Sequence, residues 1–341
     1  MASDHAFRRA AKAFGAIWPG LLLAGLIASA AMLASDQFGG PTLLFALLLG
    51  ISAHSLFADS AATKGIDFAS RQVLNIGVAF LGARIGLDQI AALGASPLAA
   101  VGVGVILTVL VGVALARMLR QDARIGVLTG GATAICGASA ALTIAAALPN
   151  RPDRDREVLF AVVAVTGLST LAMIAYPTLV PLLGLNDLAA GLFLGGSIHN
   201  VPQAVGSGYI VSDEAGDVAT LTKLFRVAML APIALGVAFL FAREATRAGG
   251  GARPSLTPPW FLTAFLILAA ANSFGAIPEQ AASALGDSSR WCLVTAIAAI
   301  GAKTALGELR SVGWRPMALI LAETLFLAAF LIAALAILGM I

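Results

Sequence analysis

The residues that could do chemistry in this chain are few and concentrated. The densest polar group lies in residues 195–229, GGSIHNVPQAVGSGYIVSDEAGDVATLTKLFRVAM. His199, Asn200 and Gln203 would share one helical face at i, i+1 and i+4 if the helix runs on through Pro202. A neutral histidine donates one hydrogen bond and gains charge near pH 6 to 7, so His199 is a candidate proton-sensitive element. Lys223 and Arg226, at i and i+3, share a face of the following helix. SDEAGD reads as the cap of that helix; the two basic groups either sit in its wet first turns or serve the polar group before them. A second stretch, TGGATAICGASAALT at 129–143, offers Thr129, Thr133, Cys136, Ser139 and Thr143 without any charge. A helix restarting after Gly137 would point the free N–H groups of Ala138, Ser139 and Ala140 at a ligand, and its dipole favours an anion. The bland alternative is a small-residue packing helix.

Arg84, Lys303 and Glu323 also fall inside apolar runs, where charge is costly and therefore informative. Arg84 and Lys303 stand near the ends of such runs and read either as snorkelling groups or as cations flanking an anion path. Glu323, in LILAETLFLAAF, is the carboxylate deepest in an apolar run, and reads as a coupling site or a structural partner for a nearby lysine. With His199 it is the candidate for coupling to H+ or Na+. Two cysteines and three histidines are too few and scattered for a metal cluster, so no metal or cofactor is expected. No paired catalytic carboxylates, Ser/Lys pair or His-x-x-x-His motif lies in an apolar run, so an enzyme is not expected.

The elements that must position these groups are apolar helices. The chain has 341 residues, 59% hydrophobic and 11% charged, with a mean hydropathy of +0.94. A soluble domain has too few interior positions for that much apolar surface. Eleven segments are apolar and long enough to be read as spans: 16–34, 41–57, 69–87, 97–117, 125–148, 158–184, 188–210, 219–242, 258–276, 289–307 and 316–340. Segments 125–148 and 188–210 are rich in glycine, hydroxyls and amides, and make poor lipid-facing helices. Each reads as a discontinuous helix or a re-entrant hairpin, tolerated only where it lines a protein cavity. Between nine and eleven segments therefore cross. Basic residues cluster before the first segment (Arg8, Arg9, Lys12) and at Arg243–Arg253, which places the N-terminus in the cytoplasm.

An internal repeat supports the same class. Residues 70–99 align without a gap to 289–318, matching Ser70 with Ser289, Arg71 with Arg290, Gly82 with Gly301, Gly94 with Gly313 and Pro97 with Pro316. Arg84 pairs with Lys303. An odd number of spans separates the copies, so the second runs in the opposite sense; inverted-topology repeats are a transporter signature. A weaker match, GASAAL at 137–142 with GAKTAL at 301–306, offers another pairing.

The runs TAICGASAAL at 133–142, HNVPQAVGSGYIVSDEAGD at 199–217, ATLTKLFRVAMLAP at 219–232 and GAKTALGEL at 301–309 resemble the YeiH-type sulfate exporter family of bacterial inner-membrane proteins. The resemblance covers essentially the whole chain. It implies a multi-pass plasma-membrane protein that exports sulfate or related sulfonates. The wider group, which includes bile-acid-symporter-like carriers, has inverted repeats and crossing broken helices. The chain departs from the family at Asn200, where an acidic residue is common, and at Pro202, so no coupling role carries over to Asn200.

The sequence thus predicts an all-α polytopic membrane protein, a single transmembrane transporter domain over 1–341, moving a small anion outward by alternating access. Thr133, Cys136, Gly137, Ser139, His199, Asn200, Gln203, Lys223, Arg226 and Lys303 are the candidate substrate residues, with helix N-termini near Gly137 and Gly196 holding the anion. The alternatives are an anion channel or a carrier for another organic anion. Nucleic acid is not an expected partner; a homo-oligomer is allowed by the sequence but not read from it.

Overall fold

A computed structural model describes residues 2–57, 60–85, 93–149, 154–241, 259–304 and 313–341. Among them every regular element is a helix. Five helical stretches are long and apolar enough to cross a membrane: Gly15–Phe38, Ala95–Met118, Arg156–Leu182, Asp213–Leu240 and Trp314–Ile337. Shorter apolar helices occupy Thr42–Ser55, Ala138–Ala147 and Trp260–Ser273. This is a helical, multi-pass membrane protein. The chain divides into two compact units, Met1–Asp88 with Trp260–Ala305, and Gln89–Pro259 with Leu306–Ile341.

The first unit contains α1 (Ala2–Phe38), α2 (Thr42–Phe57), α3 (Thr63–Phe68), a π-helical turn at Ala69–Val73, α4 (Leu74–Leu81) and, from later in the chain, α13 (Trp260–Ser273) and α14 (Glu279–Lys303). The sequence-predicted span at 69–87 is displaced toward the N-terminus: the helical run is continuous from Thr63, takes a π-helical turn at Ala69–Val73 and ends with α4 at Leu81. Lipid offers no hydrophobic drive between helices, so small residues that let backbones touch hold such units together. Gly50 of α2 meets Gly301 of α14 with 3.0 Å between a β-carbon built at either glycine and the α-carbon of the other. The described parts of the internal repeat, 70–85 and 289–304, both lie in this unit, where Ser289 Oγ donates to Gly77 O at 2.7 Å.

The second unit holds α5 (Ala95–Met118), α6 (Ala123–Ala134), α7 (Ala138–Ala147), α8 (Arg154–Leu182), α9 (Asp187–Ser197), α10 (Val201–Val211), α11 (Asp213–Ala228), α12 (Leu230–Leu240) and α15 (Trp314–Ile337). On α5, Val103, Ile106 and Leu110 are exposed at helical spacing, while Val101, Val105, Thr108 and Gly112 are buried. One apolar stripe faces outward and one faces protein, as a helix at the lipid boundary requires. The two glycine-rich segments are each two short helices in series, α6 with α7 and α9 with α10. Their breaks, at 135–137 and 198–200, position the site.

Candidate functional site

The first break is made by Ile135, Cys136 and Gly137. Gly137 has φ +67°, a left-handed conformation that side chains other than glycine's resist, and it starts α7 without a side-chain cap. This is the restart that the sequence predicts after Gly137. The second break comes later than the expected position near Gly196, which lies in the last turn of α9. Ile198 and Asn200 are extended, and Pro202 sits in the first turn of α10. Proline has no N–H to lose there and its fixed φ suits a helix start. The helix therefore does not run on, and His199, Asn200 and Gln203 do not share a helical face. His199 and Asn200 belong to the break, Gln203 to the first turn of α10.

The two breaks touch. A β-carbon added at Gly137 would fall on Asn200 Oδ1, and 3.2 Å from a methyl of Val165 on α8. Four residues along α8, Ser169 Oγ accepts the Asn200 N–H at 3.0 Å. Helix α8 therefore passes both starts. At each, the first-turn N–H groups lack intrahelical acceptors, because the ladder begins only with Ala141 N to Gly137 O and Ala204 N to Asn200 O. Neither Gly137 nor Asn200 caps its helix with a side chain. Ser139 is exposed, and Ala138, Asn200, Val201 and Pro202 are half-buried, so these positive helix ends are open.

The negative ends are closed. Ser212 Oγ caps α11 by accepting from Ala215 N at 3.0 Å, as SDEAGD suggests. Lys223 and Arg226, however, are not in wet first turns: both side chains are fully buried. Lys223 Nζ donates to Ile135 O at 2.6 Å, to Ile198 O at 2.7 Å and to His199 O. Arg226 Nε donates to Ala134 O at 2.7 Å, and Nη2 to Thr133 O at 2.9 Å. Its Nη1 donates to Gly195 O at 3.0 Å and Ile198 O at 2.8 Å. Two cations on one helix thus cover the last carbonyls of both α6 and α9, where the helix dipoles concentrate negative charge. Charge-assisted bonds are the strong kind, and here they satisfy carbonyls that a break would otherwise orphan.

Three further groups complete the cluster. His199 Nδ1 lies 3.1 Å from Thr133 O, and Nε2 2.9 Å from Thr324 Oγ1. Glu323 is fully buried, with Thr129 Oγ1 2.8 Å from Oε1 and Thr133 Oγ1 3.1 Å from Oε2. Gln203, 1% exposed, places Nε2 3.4 Å from Thr170 Oγ1, and its Oε1 has no hydrogen-bond partner among the described residues. Ser207 Oγ, one turn further along α10, and Thr222 Oγ1 are also buried without partners among the described residues. Such atoms are costly to leave unpaired.

Of the sequence-predicted site residues, Thr133, Gly137, His199, Asn200, Gln203, Lys223 and Arg226 are gathered at the breaks of the second unit. Ser139 stands at the open end of α7. Cys136 is packed in an apolar cluster with Ile135, Ile144 and Val165. Lys303 belongs to the first unit, where it is ion-paired with Asp67. Arg84, also in the first unit, is exposed. Ser169, Thr170 and Thr324 were not singled out by the sequence; single hydroxyls in long apolar helices carry no periodic signal.

The family model of conserved hypothetical protein 698 matches residues 19–320. A UPF0324 membrane protein of Chlorobaculum tepidum is 48% identical over 316 residues, covering 92% of this chain and 88% of its own length. The UPF0324 membrane protein TauZ of Paracoccus pantotrophus is 47% identical, covering 94% of this chain and 96% of its own. A third, from Rhizobium meliloti, is 45% identical over 94% of this chain and 93% of its own. No solved structure matches.

Proposed function

The chain belongs to the family of conserved hypothetical protein 698, the UPF0324 membrane proteins, and from that premise we propose that it is a secondary transporter of a small anion. The observation that carries this reading is an asymmetry of charge. Two broken helices meet with their negative ends covered by Lys223 and Arg226, and their positive ends without a side-chain cap from Gly137 or Asn200. Uncapped helix N-termini bind anions through backbone N–H groups and dipole together. The buried, unpartnered Oε1 of Gln203 stands in the first turn of one of them and marks a polar position left for a ligand or water. Lys223 and Arg226 add positive potential at the breaks although their N–H groups are spent on carbonyls. Membrane carriers hold substrate at discontinuous helices in this way.

In this reading the substrate is sulfate or an organosulfonate, exported across the bacterial inner membrane by alternating access, with the N-terminus in the cytoplasm. Nine to eleven of the apolar segments cross, and 70–99 and 289–318 are an inverted pair. No covalent chemistry is involved. The test is counterflow in proteoliposomes across sulfate, sulfite, sulfoacetate, taurine, dicarboxylates and bile acids. Trans-stimulated exchange of a sulfur oxyanion is the expected result. Flux without trans-stimulation would make the protein a channel, and exchange confined to carboxylates would reassign the substrate.

A further inference from the structure

Glu323 is the group that the anion site leaves unexplained. It is fully buried, and its hydrogen-bond partners among the described residues are two neutral hydroxyls. A buried carboxylate without a cation or several strong donors is among the costliest arrangements a protein can hold. The helices packed on α15 are α5, α6, α8 and α9. Against Glu323, α5 brings Gly112, whose β-carbon would lie 2.5 Å from Oε1, and α6 brings Thr129 and Thr133. The break after α9 brings His199, onto the neighbouring Thr324. Arg226, from α11, reaches Thr133 by the carbonyl and not the hydroxyl. Among the described residues no ionisable side chain of α8 or α9 bonds Glu323.

Hydrogen counting identifies what compensates the carboxyl. Thr129 Oγ1 has two acceptors in reach, Ile125 O at 2.9 Å and Glu323 Oε1 at 2.8 Å, but only one hydrogen. If Oε1 carries a proton, all three contacts are satisfied at once. Glu323 donates to Thr129, Thr129 donates to Ile125 O, and Thr133 donates to Oε2. If Glu323 is ionised, Thr129 must abandon one acceptor and the charge remains buried.

We infer that Glu323 binds the coupling proton of the transport cycle, in a site built from Thr129, Thr133 and Gly112. This deepens the anion-carrier reading and rests on it for the transport step, though not for the proton site itself. Thr133 joins the two sites. Its hydroxyl meets Glu323, its carbonyl receives Arg226 and His199, and it lies in the last turn before the break that starts α7. Loss of the proton leaves a bare carboxylate whose stabilisation requires water or a rearranged α6, and either change acts on the break that presents Ser139 and Ala138. Protonation and the anion-binding geometry are thereby linked, and linkage is reciprocal.

Two measurements test this. The first is infrared difference spectroscopy of the purified full-length protein in lipid, with no anion substrate added. The wild type is expected to show the C=O stretch of a protonated carboxylic acid at neutral pH, lost on raising the pH and missing from E323Q. A wild-type spectrum without that band, or a band unchanged in E323Q, overturns the proton site whatever the protein transports. The second is counterflow and net uptake of radiolabelled sulfate in proteoliposomes. E323Q is expected to lose the stimulation of net flux by an imposed pH gradient, measured relative to its own sulfate exchange rate. Because each variant is judged against its own exchange rate, poor folding cannot imitate the result. A pH-stimulated E323Q overturns the coupling role. Absence of sulfate exchange in the wild type, with the infrared band present, overturns the sulfate assignment and leaves the proton site standing.

Discussion

The two breaks reach the same end by different backbone means. The first turns on one glycine: Gly137 takes φ +67°, and the side chain of Asn200 occupies the place of its missing β-carbon. The second uses ordinary extended residues, with φ −72° at Ile198 and −85° at Asn200, and is held by Pro202 in the next first turn. Its specificity lies in side chains, since His199 and Gln203 bond outward to Thr324 and Thr170, while the Asn200 backbone N–H donates to Ser169. One break is therefore sensitive to having any side chain at a single position, the other to which side chains it has.

Gly137→Ala breaks the comparison most severely. The left-handed backbone costs a non-glycine residue about 1 kcal/mol or more, and the new methyl collides with Asn200. Loss of most folded protein is expected, measured as the detergent-solubilised fraction surviving a thermal ramp. Adding Asn200→Gly should recover part of the loss, because it removes the collision but not the strain; no recovery would mean that the breaks do not touch.

Lys223→Met is next. It leaves the Ile135 and His199 carbonyls without their donor, while Ile198 O keeps Arg226 Nη1. At about 1–3 kcal/mol for a buried group left unsatisfied, a marked fall in thermal midpoint is expected before any effect on anion affinity. The sequence placed this lysine among the candidate substrate residues, where its loss would weaken binding first. A variant of wild-type stability with weakened anion binding would restore that first expectation.

Gln203→Ala sharpens the functional side. It removes one weak hydrogen bond and one unpartnered buried oxygen, so stability should change little while exchange falls several-fold. An unchanged exchange rate would remove Gln203 from the site. Ser139→Ala should be the mildest. Ser139 is exposed, and exposed substitutions stay within about 0.5 kcal/mol. Its effect on exchange should be smaller than that of Gln203→Ala, because the proposed contact at α7 is backbone N–H and not the hydroxyl.

Much of this site was legible from residue type alone. Glycine, hydroxyl and amide residues inside otherwise apolar segments are unfavourable against lipid, so their concentration at 129–143 and 195–211 marks broken helices. Pro202 marks a helix start, yet its effect on the phase of His199 and Gln203 emerged only with the backbone. Glu323 stood out because a carboxylate is rare in such a run. Its partners did not, since Thr129 and Thr133 are 194 and 190 residues away. The predicted segment at 69–87 could not reveal a π-helical turn, because one extra residue per turn leaves hydropathy unchanged.

Composition and spacing by themselves determined the solvent of this protein, its helical class, the two glycine-rich segments and the short roster of polar residues. These follow from the chain's own chemistry, since each span satisfies its backbone internally and each buried polar group is individually costly. What only the tertiary structure decided is which groups are spent on the fold and which remain for a ligand. Lys223 and Lys303 look alike in sequence, but one is buried on three carbonyls and the other paired with Asp67 at a half-exposed surface. A lysine's role depends on which acceptors converge around it, and those acceptors come from helix ends distant in the chain, brought together only by packing.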